Sequence, residues 1–336
     1  MNSKNNDFLD IEIINPSEEE NAVLKRLDKK YEAISLMSHE ERFFLNALIL
    51  RYKPVKLLEI GAAAGGSSII MLNAINDDPA ARLYSIDYAE FCILDEGRKS
   101  GYFVDEYPGL KTKFRIYTGG LALRFLDEIG GGIDFCFIDT VHSNPGEILD
   151  FLFALPYLKD DALVVFHDTK LQTRLSFPLN KWAITNNLLI SAIFGKILVQ
   201  GNFSRSDTEI EYPSERGITY FPNITAVRIC KETKEHLYAI FNLLTIKWTY
   251  TPSMDEEIEI IDFFAKHYDK YYVEYMEDVF CYEKEFYAYK LPLIKSLLRP
   301  ILNGIARFFN SGFKKKIRKL LGSKISNMIY GIMQSG

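Results

Sequence analysis

At 336 residues, 48% of them hydrophobic and 25% charged, the chain is long enough for one large domain with appendages and apolar enough to bury a sizeable core, which excludes wholesale disorder. Its four cysteines, Cys92, Cys136, Cys230 and Cys281, form no CxxC pair and no tight spacing, so neither a zinc site nor a disulfide framework is expected and a reducing cytoplasm fits. The first residues lack the apolar stretch of a signal peptide, and no uninterrupted apolar run reaches about 18 residues, so no spanning helix is expected either.

The net charge of −5 hides an asymmetry. Residues 286–336 carry ten Lys or Arg and no Asp or Glu, which leaves residues 1–285 with 30 of the 40 basic side chains and all 45 acidic ones. An acidic body with a basic tail suggests that the tail meets an anionic surface while the body does something else.

In chain order, residues 17–50 read as one or two helices that cap the domain. Ser38-His39-Glu40-Glu41 forms a helix start before Phe43, Phe44, Ala47, Leu48 and Leu50. From Val55 onward short apolar runs alternate with helical periodicity, the pattern of β-α units feeding a parallel sheet. Strands are predicted at Val55–Ile60, Arg82–Asp87, Lys113–Thr118, Ile133–Asp139 and Ala162–His167, each buried on both faces. Helices are predicted at Ser67–Asn76, Phe91–Ser100, Leu121–Ile129 and Pro145–Leu158. A helix at Lys181–Ile193 and strands at Gly195–Gln200 and Asn223–Ile229 follow, with the polar, turn-rich Gly201–Pro222 as a loop near the site. The fold class is therefore α/β, a doubly wound, Rossmann-like, mostly parallel sheet with a helical N-terminal cap and a helical C-terminal extension. The expected division is a helical segment at 1–35, the α/β domain at 36–232, an aromatic-rich helical extension at 233–289 and a basic amphipathic tail at 290–336.

Glu59-Ile60-Gly61-Ala62-Ala63-Ala64-Gly65-Gly66 ends a strand, turns on small residues and enters a helix near Ser67. Such a turn puts backbone N–H groups and a helix N-terminus at the sheet's carboxyl edge, where doubly wound folds bind ligands. Gly61 and Gly65 can take backbone angles that bulkier residues avoid, and Ala63 breaks the regular Gly-x-Gly-x-x-Gly of a dinucleotide binder. The second strand ends in Asp87, placed to accept hydrogen bonds from both hydroxyls of a ribose. Up to this point NAD and S-adenosylmethionine look alike.

Further on, Ile133 to Ser143 contains Asp139 and His142, and Leu163 to Thr169 contains His167-Asp168. On these motifs the chain, from about Ile34 to about Lys170, resembles the class I S-adenosylmethionine-dependent methyltransferases related to macrocin O-methyltransferase and cephalosporin hydroxylase, the methyltransferase 24 type. In that family the fourth strand commonly ends in Asp-Gly-Asp-His and the fifth in His-Asp. Thr140 and Val141 stand here in place of Gly-Asp, Asn144 where an aromatic residue is frequent, Asp160-Asp161-Ala162 in place of a glycine turn, and Gly120-Leu121 where Asp-Ser helps hold the adenosine.

The resemblance implies S-adenosylmethionine bound by Glu59, Gly61, Ala63, Gly65, Ser67, Asp87, Gly119 and Asp139. Methyl transfer needs an aligned acceptor that gives up a proton, so His142 is the candidate base, with Asp139 and Asp168 as catalytic partners. Those two carboxylates are also the candidate ligands of a Mg²⁺ ion. His39, His236 and His267 have no partner spacing that commends them. The tail, with Leu293, Ile294, Leu297, Leu298, Ile301 and Ile305 before Lys314-Lys315-Lys316-Ile317-Arg318-Lys319, has the pattern of a basic helix lying on an anionic membrane face. Nucleic acid is not an expected partner. The expectation is a cytoplasmic O-methyltransferase, peripheral at the inner face of the membrane, whose acceptor is a small molecule or glycan, a sugar hydroxyl of a surface-glycan precursor or related metabolite. A nicotinamide-dependent oxidoreductase and a non-catalytic scaffold retaining the fold are the alternatives.

Overall fold

Eight strands form one sheet in a computed structural model that describes residues 11–24, 27, 37–95, 97–170, 185–200 and 223–285. The strands are β1 (Ile11–Ile14), β2 (Lys56–Ile60), β3 (Arg82–Asp87), β4 (Phe114–Thr118), β5 (Ile133–Ile138), β6 (Leu158–His167), β7 (Gly195–Gln200) and β8 (Ile224–Ile229). Their order across the sheet is β1-β7-β8-β6-β5-β2-β3-β4. β8 runs antiparallel to both its neighbours and every other pair is parallel. The doubly wound, mostly parallel architecture read from the alternating pattern is the one found.

The centre of the sheet is β5 and the end of β6, where Phe135, Cys136, Phe137, Val164, Val165 and Phe166 are all fully buried. Strands covered on both faces lose the alternation of a half-exposed strand, which is why these runs read as continuous apolar segments. β4, at the sheet edge, does not share that burial: Arg115 is exposed and Phe114 and Ile116 are half-buried.

Three elements differ from the sequence reading. No helix covers Phe91–Ser100. Cys92 N–H donates to Arg98 O at 2.8 Å, Ser100 N–H donates to Glu90 O at 3.0 Å, and Phe91 bridges Lys99 in an antiparallel turn. Phe91, Ile93 and Leu94 are exposed, so the apolar residues that suggested a helix have no face to bury, and helical turns come later at Tyr102–Glu106 and Pro108–Lys111. β1 was not anticipated. It pairs in parallel with β7, and Glu12 meets Lys196 at 3.0 Å. β6 also starts four residues earlier than Ala162, because Leu158 pairs with Ile133 ahead of a register shift and exposed Lys159, Asp160 and Asp161 hide the strand's polar start.

Helices Glu18–Leu24 and His39–Tyr52 form the N-terminal cap, the second opened by the expected Ser38–Glu41 capping box. Helix Gly146–Ala154 and the extension helices Tyr238–Leu243 and Met254–His267 join through aromatic contacts: Phe153 meets Phe263 at 5.2 Å and Phe264 at 6.1 Å between ring centroids, and Phe241 stacks on Tyr272 at 4.3 Å. Trp248, fully buried, donates its indole N–H to Leu244 O at 2.7 Å. Phe241, Trp248, Phe263, Phe264 and Phe280 of this run are therefore packing material, while Tyr238, Tyr271 and Tyr282 are exposed.

Residues 1–277 and 278–336 group into two units, of which the second is described only at residues 278–285, all helical. Most of the expected segment 1–35, the start of the helix expected at Lys181–Ile193, the loop Gly201–Pro222 and the basic tail lie outside the described residues. Among the described residues no helix is long and apolar enough to cross a membrane.

Candidate active site

β2 lies between β3 and β5, the point where chain order reverses across the sheet. At the carboxyl ends of these strands the backbones nearly touch: Gly61 N–H donates to Ile86 O at 2.8 Å and Asp139 N–H donates to Ile60 O at 2.9 Å. Gly61 has φ +96°, and a Cβ there would stand 1.9 Å from Asp139 O, so only glycine fits. The turn closes with Gly65 N–H on Ala62 O at 2.7 Å, and Ala63 takes a positive φ of 45°.

Two acids fasten this turn. Asp87 accepts the N–H groups of Ala62 at 3.1 Å and Ala63 at 2.8 Å on one oxygen and that of Ala89 at 2.9 Å on the other. A carboxylate has about four lone-pair sites, so Asp87 keeps room for roughly one more donor. Glu59 is fully buried beneath the turn. Ser67 and Ser68 hydroxyls donate to it at 2.5 Å each, and the Ser85 hydroxyl donates as well. Burial pushes the Glu59 carboxyl up to about 7 against the pull of those three donors. Glu59 and Ser67, both expected to touch a cofactor, face each other under the turn and brace it. Gly119, with φ +91°, donates its N–H to Asp87 O at 3.2 Å, which keeps the β3 and β4 ends together.

On the β5 and β6 side, Asp139, His142 and Asp168 converge as expected. His142 Nε2 lies 3.0 Å from Asp168 Oδ2 and 3.8 Å from Asp139 Oδ1. His142 Nδ1 lies 3.1 Å from Glu147 Oε1, a fully buried carboxylate at the start of helix Gly146–Ala154. An imidazole anchored at Nδ1 by a buried acid turns Nε2 towards the carboxyl edge, where Asp168 lies within hydrogen-bond reach of it. The His142 side chain is 28% exposed, so something can approach. Asp168 sits at φ +54° and accepts from Asn223 Nδ2 at 2.5 Å, a strained backbone held by its partners.

His167 stands behind this group, buried, with Nδ1 at 3.2 Å from Asp139 Oδ1 and Nε2 at 3.2 Å from Glu41 Oε2. Burial opposes the charged form of both imidazoles but the acids outweigh it: Glu147 and Asp168 hold His142, and Asp139, Asp168 and Glu41 hold His167, well above the usual imidazole range. Burial likewise opposes ionisation of Asp168, yet His167, His142 and Asn223 hold it well below the usual carboxylate range. Burial raises Glu147, with His142 pulling it back.

Of the other histidines, His267 meets the Tyr157 hydroxyl at 3.1 Å, His236 meets Glu232 O at 3.0 Å and His39 lies against Phe43, each away from this cluster. Glu41, Glu147 and Asn223 were missed. Glu41 was legible only as a helix cap, and Glu147 carries no local sign beyond its place five residues after His142.

Asp139, His142 and Asp168 each offer one ligand atom, all within 4.8 Å of one another, a donor set that fits a divalent cation. The turn over Glu59 and Asp87 offers a close backbone approach beside an acid at the second strand's end, which fits an adenosine-bearing cofactor.

Residues 58–169 match the family model described as a methyltransferase domain. A search of the curated proteins finds no match. Among solved structures, the O-methyltransferase of Streptomyces achromogenes involved in tomaymycin synthesis, in complex with S-adenosylmethionine, is 18% identical over 64% of this chain and 90% of its own, with a TM-score of 0.41. An O-methyltransferase from Bacillus cereus, in complex with S-adenosylhomocysteine, is 19% identical over 63% and 92%, also with a TM-score of 0.41.

The Glu59 carboxyl yields a pH test. Its folded value, about 7, lies above the ordinary 4.5, so its contribution to stability is complete below about 4.5 and is lost as pH rises through about 7. At about 1.36 kcal/mol per unit the loss approaches about 3 kcal/mol. Glu59→Gln has no such loss, so its unfolding free energy relative to wild type is expected to rise between pH 5 and pH 8 in denaturant titrations; a difference that stays flat over that range refutes the assignment.

Proposed function

We propose that this chain, which carries a class I S-adenosylmethionine-dependent methyltransferase domain, moves the donor's methyl group to a hydroxyl oxygen and uses His142 to take up the hydroxyl proton. The observation that carries the reading is the orientation of His142, with Nδ1 fixed on buried Glu147 and Nε2 at the open carboxyl edge beside Asp168. S-adenosylmethionine, when bound, supplies a methyl group already activated on a positively charged sulfur, so the chain's own task is alignment and proton removal.

Gly61, Ala63 and Gly65 give the backbone clearance, and Asp87 has its remaining lone pairs for a ribose hydroxyl. The acids that raise the His142 value stabilise the imidazolium formed when it accepts a proton and equally favour that form at rest, so the ring acts as a base only from its neutral form. Asp139 and Asp168 can also accept hydrogen bonds from neighbouring hydroxyls of a polyol, which supports a sugar acceptor in a surface-glycan precursor or related metabolite. The basic tail at 290–336, outside the described residues, supports an acceptor presented at an anionic membrane.

A second reading is favoured by the spacing of Asp139, His142 and Asp168: a Mg²⁺ ion held chiefly by the two carboxylates, which lowers the acceptor's pKa and orients two of its oxygens.

Four outcomes are expected. In calorimetric titration the chain binds S-adenosylmethionine and not NAD; binding of NAD alone would make it an oxidoreductase. Methyl transfer from labelled donor to glycan extracts falls by about 10²- to 10⁴-fold in His142→Ala, the usual range for a lost general base; transfer to no acceptor even by wild type would leave a scaffold. Dialysis against EDTA abolishes transfer if the Mg²⁺ reading holds, with recovery on adding Mg²⁺ back, and full activity after dialysis removes the ion from the mechanism. The full chain floats with anionic liposomes, and replacing Lys314, Lys315 and Lys316 by Glu reduces flotation; equal flotation of both would end the membrane reading.

A further inference from the structure

The chain from Ile246 to Glu259 crosses the loops that follow three strands at the carboxyl edge. Next to His142, the Ser143 and Thr249 hydroxyls lie 2.8 Å apart, and Thr249 donates both its N–H, at 2.8 Å, and its hydroxyl, at 3.0 Å, to Asn144 O. Asn144 Nδ2 donates to Ile246 O. The other hydrogen bonds that hold Ser143 and Gly146 are local, from Ser143 N–H to Val141 O and from Gly146 N–H to Ser143 O, so residues 246–249 add to the His142–Asp168 contact a second hold on this loop from a distance.

The far end of the same segment reaches the cofactor side. The Tyr88 hydroxyl, one residue past Asp87, donates to Glu256 Oε1 at 3.1 Å. Arg124 forms a two-pronged pair with Glu259 at 2.7 and 3.0 Å and donates from Nη1 to Gly119 O at 3.3 Å. Buried Trp248 anchors the middle, and a Ser253–Glu256 capping box fixes the start of helix Met254–His267. One continuous stretch of the C-terminal extension thus touches the loop that carries the proposed base and the segments that follow Asp87 and Gly119.

We propose that Ile246–Glu259 is a positioning strap for methyl transfer: Thr249 is a positioning residue that sets His142 through Ser143 and Asn144, and Glu259 steadies the donor end through Arg124 and Gly119. This rests on His142 as the base and on the donor lying at the carboxyl edge. A base displaced by about an ångström loses up to about 10² in rate, and one lost hydroxyl bridge displaces it by less, so about tenfold is the scale to look for. Thr249 is exposed, so replacing it leaves the core intact.

The test compares Thr249→Val, which keeps the branched shape without the hydroxyl, with Thr249→Ser, which keeps the hydroxyl. Thr249→Val is expected to lower kcat about tenfold at an unchanged unfolding midpoint, and Thr249→Ser to restore it. In a His142→Ala background Thr249→Val is expected to have no further effect on kcat, because it acts through the base. Glu259→Gln is expected to weaken S-adenosylmethionine binding about two- to fivefold, as is raised salt on wild type, in keeping with a partly exposed ion pair. An unchanged kcat in Thr249→Val, or an equal loss in the His142→Ala background, overturns the strap. The His142 imidazole NMR signals give a readout independent of turnover: they move in Thr249→Val and return in Thr249→Ser if the strap holds, and unmoved signals overturn it. Failure of wild type to bind S-adenosylmethionine would instead defeat the methyltransferase reading and leave those signals to decide the strap.

Discussion

The arrangement of the site follows from one constraint, that charged groups taken out of water must be paired with one another. Glu41, Asp139, Glu147 and Asp168 surround two imidazoles, His142 and His167, and of the six only Asp139 and His142 are substantially open to solvent. An isolated ionised carboxylate in such surroundings would cost several kcal/mol, and breaking a buried pair typically costs about 3–5 kcal/mol. Pairing therefore dictates where the elements go. Helix His39–Tyr52 must deliver Glu41 to the end of β6, helix Gly146–Ala154 must begin where Glu147 meets His142, and Asn223, just before β8, must reach Asp168.

The glycine-containing turn obeys the same logic on the other side of β2. Its N–H groups need acceptors and its tight path needs support, and Asp87 and Glu59 provide these from the next strand and from beneath. The result is a turn whose shape is set by the chain's own hydrogen bonds, which lowers the ordering cost of binding. The two glycines have separate reasons to be there. Gly61 is compelled by the approach of Asp139 O, whereas a Cβ on Gly65 would come within 3.3 Å of the Gly101 backbone, and Gly65 takes the left-handed angle that opens helix Gly66–Ala74.

How much of this was legible in the sequence depends on how far apart the cooperating residues lie. β2, β5 and the end of β6 announced themselves because burial on both faces leaves unbroken apolar runs, and strand ends then marked Asp87, Asp139 and Asp168. β1 gave no such sign, since Ile11 and Ile13 are exposed and only Ile14 is buried. Phe91 to Ser100 misled for the opposite reason, with apolar residues that look like a buried stripe and are not. That Ser67, Ser68 and Ser85 all turn towards Glu59 has no local sign in the sequence, since the three come from two different elements. Glu41, Glu147 and Asn223 act on residues with which they share no sequence pattern, so only the fold could disclose them.

That distribution bears on what is general in this chain and what is particular to it. The family match spans residues 58–169 and contains the turn, Asp87, Asp139, His142, Glu147 and Asp168, the set proposed above to hold a donor and move a proton. Glu41, Asn223 and Thr249 lie outside it, and each acts on a member of that set from an element the match does not include. Sites that share a core chemistry must be distinguished by how its groups are aimed, because small displacements change rates strongly while the groups themselves stay the same. The elements that position them here are helix His39–Tyr52, the residue before β8 and the C-terminal extension, all outside residues 58–169.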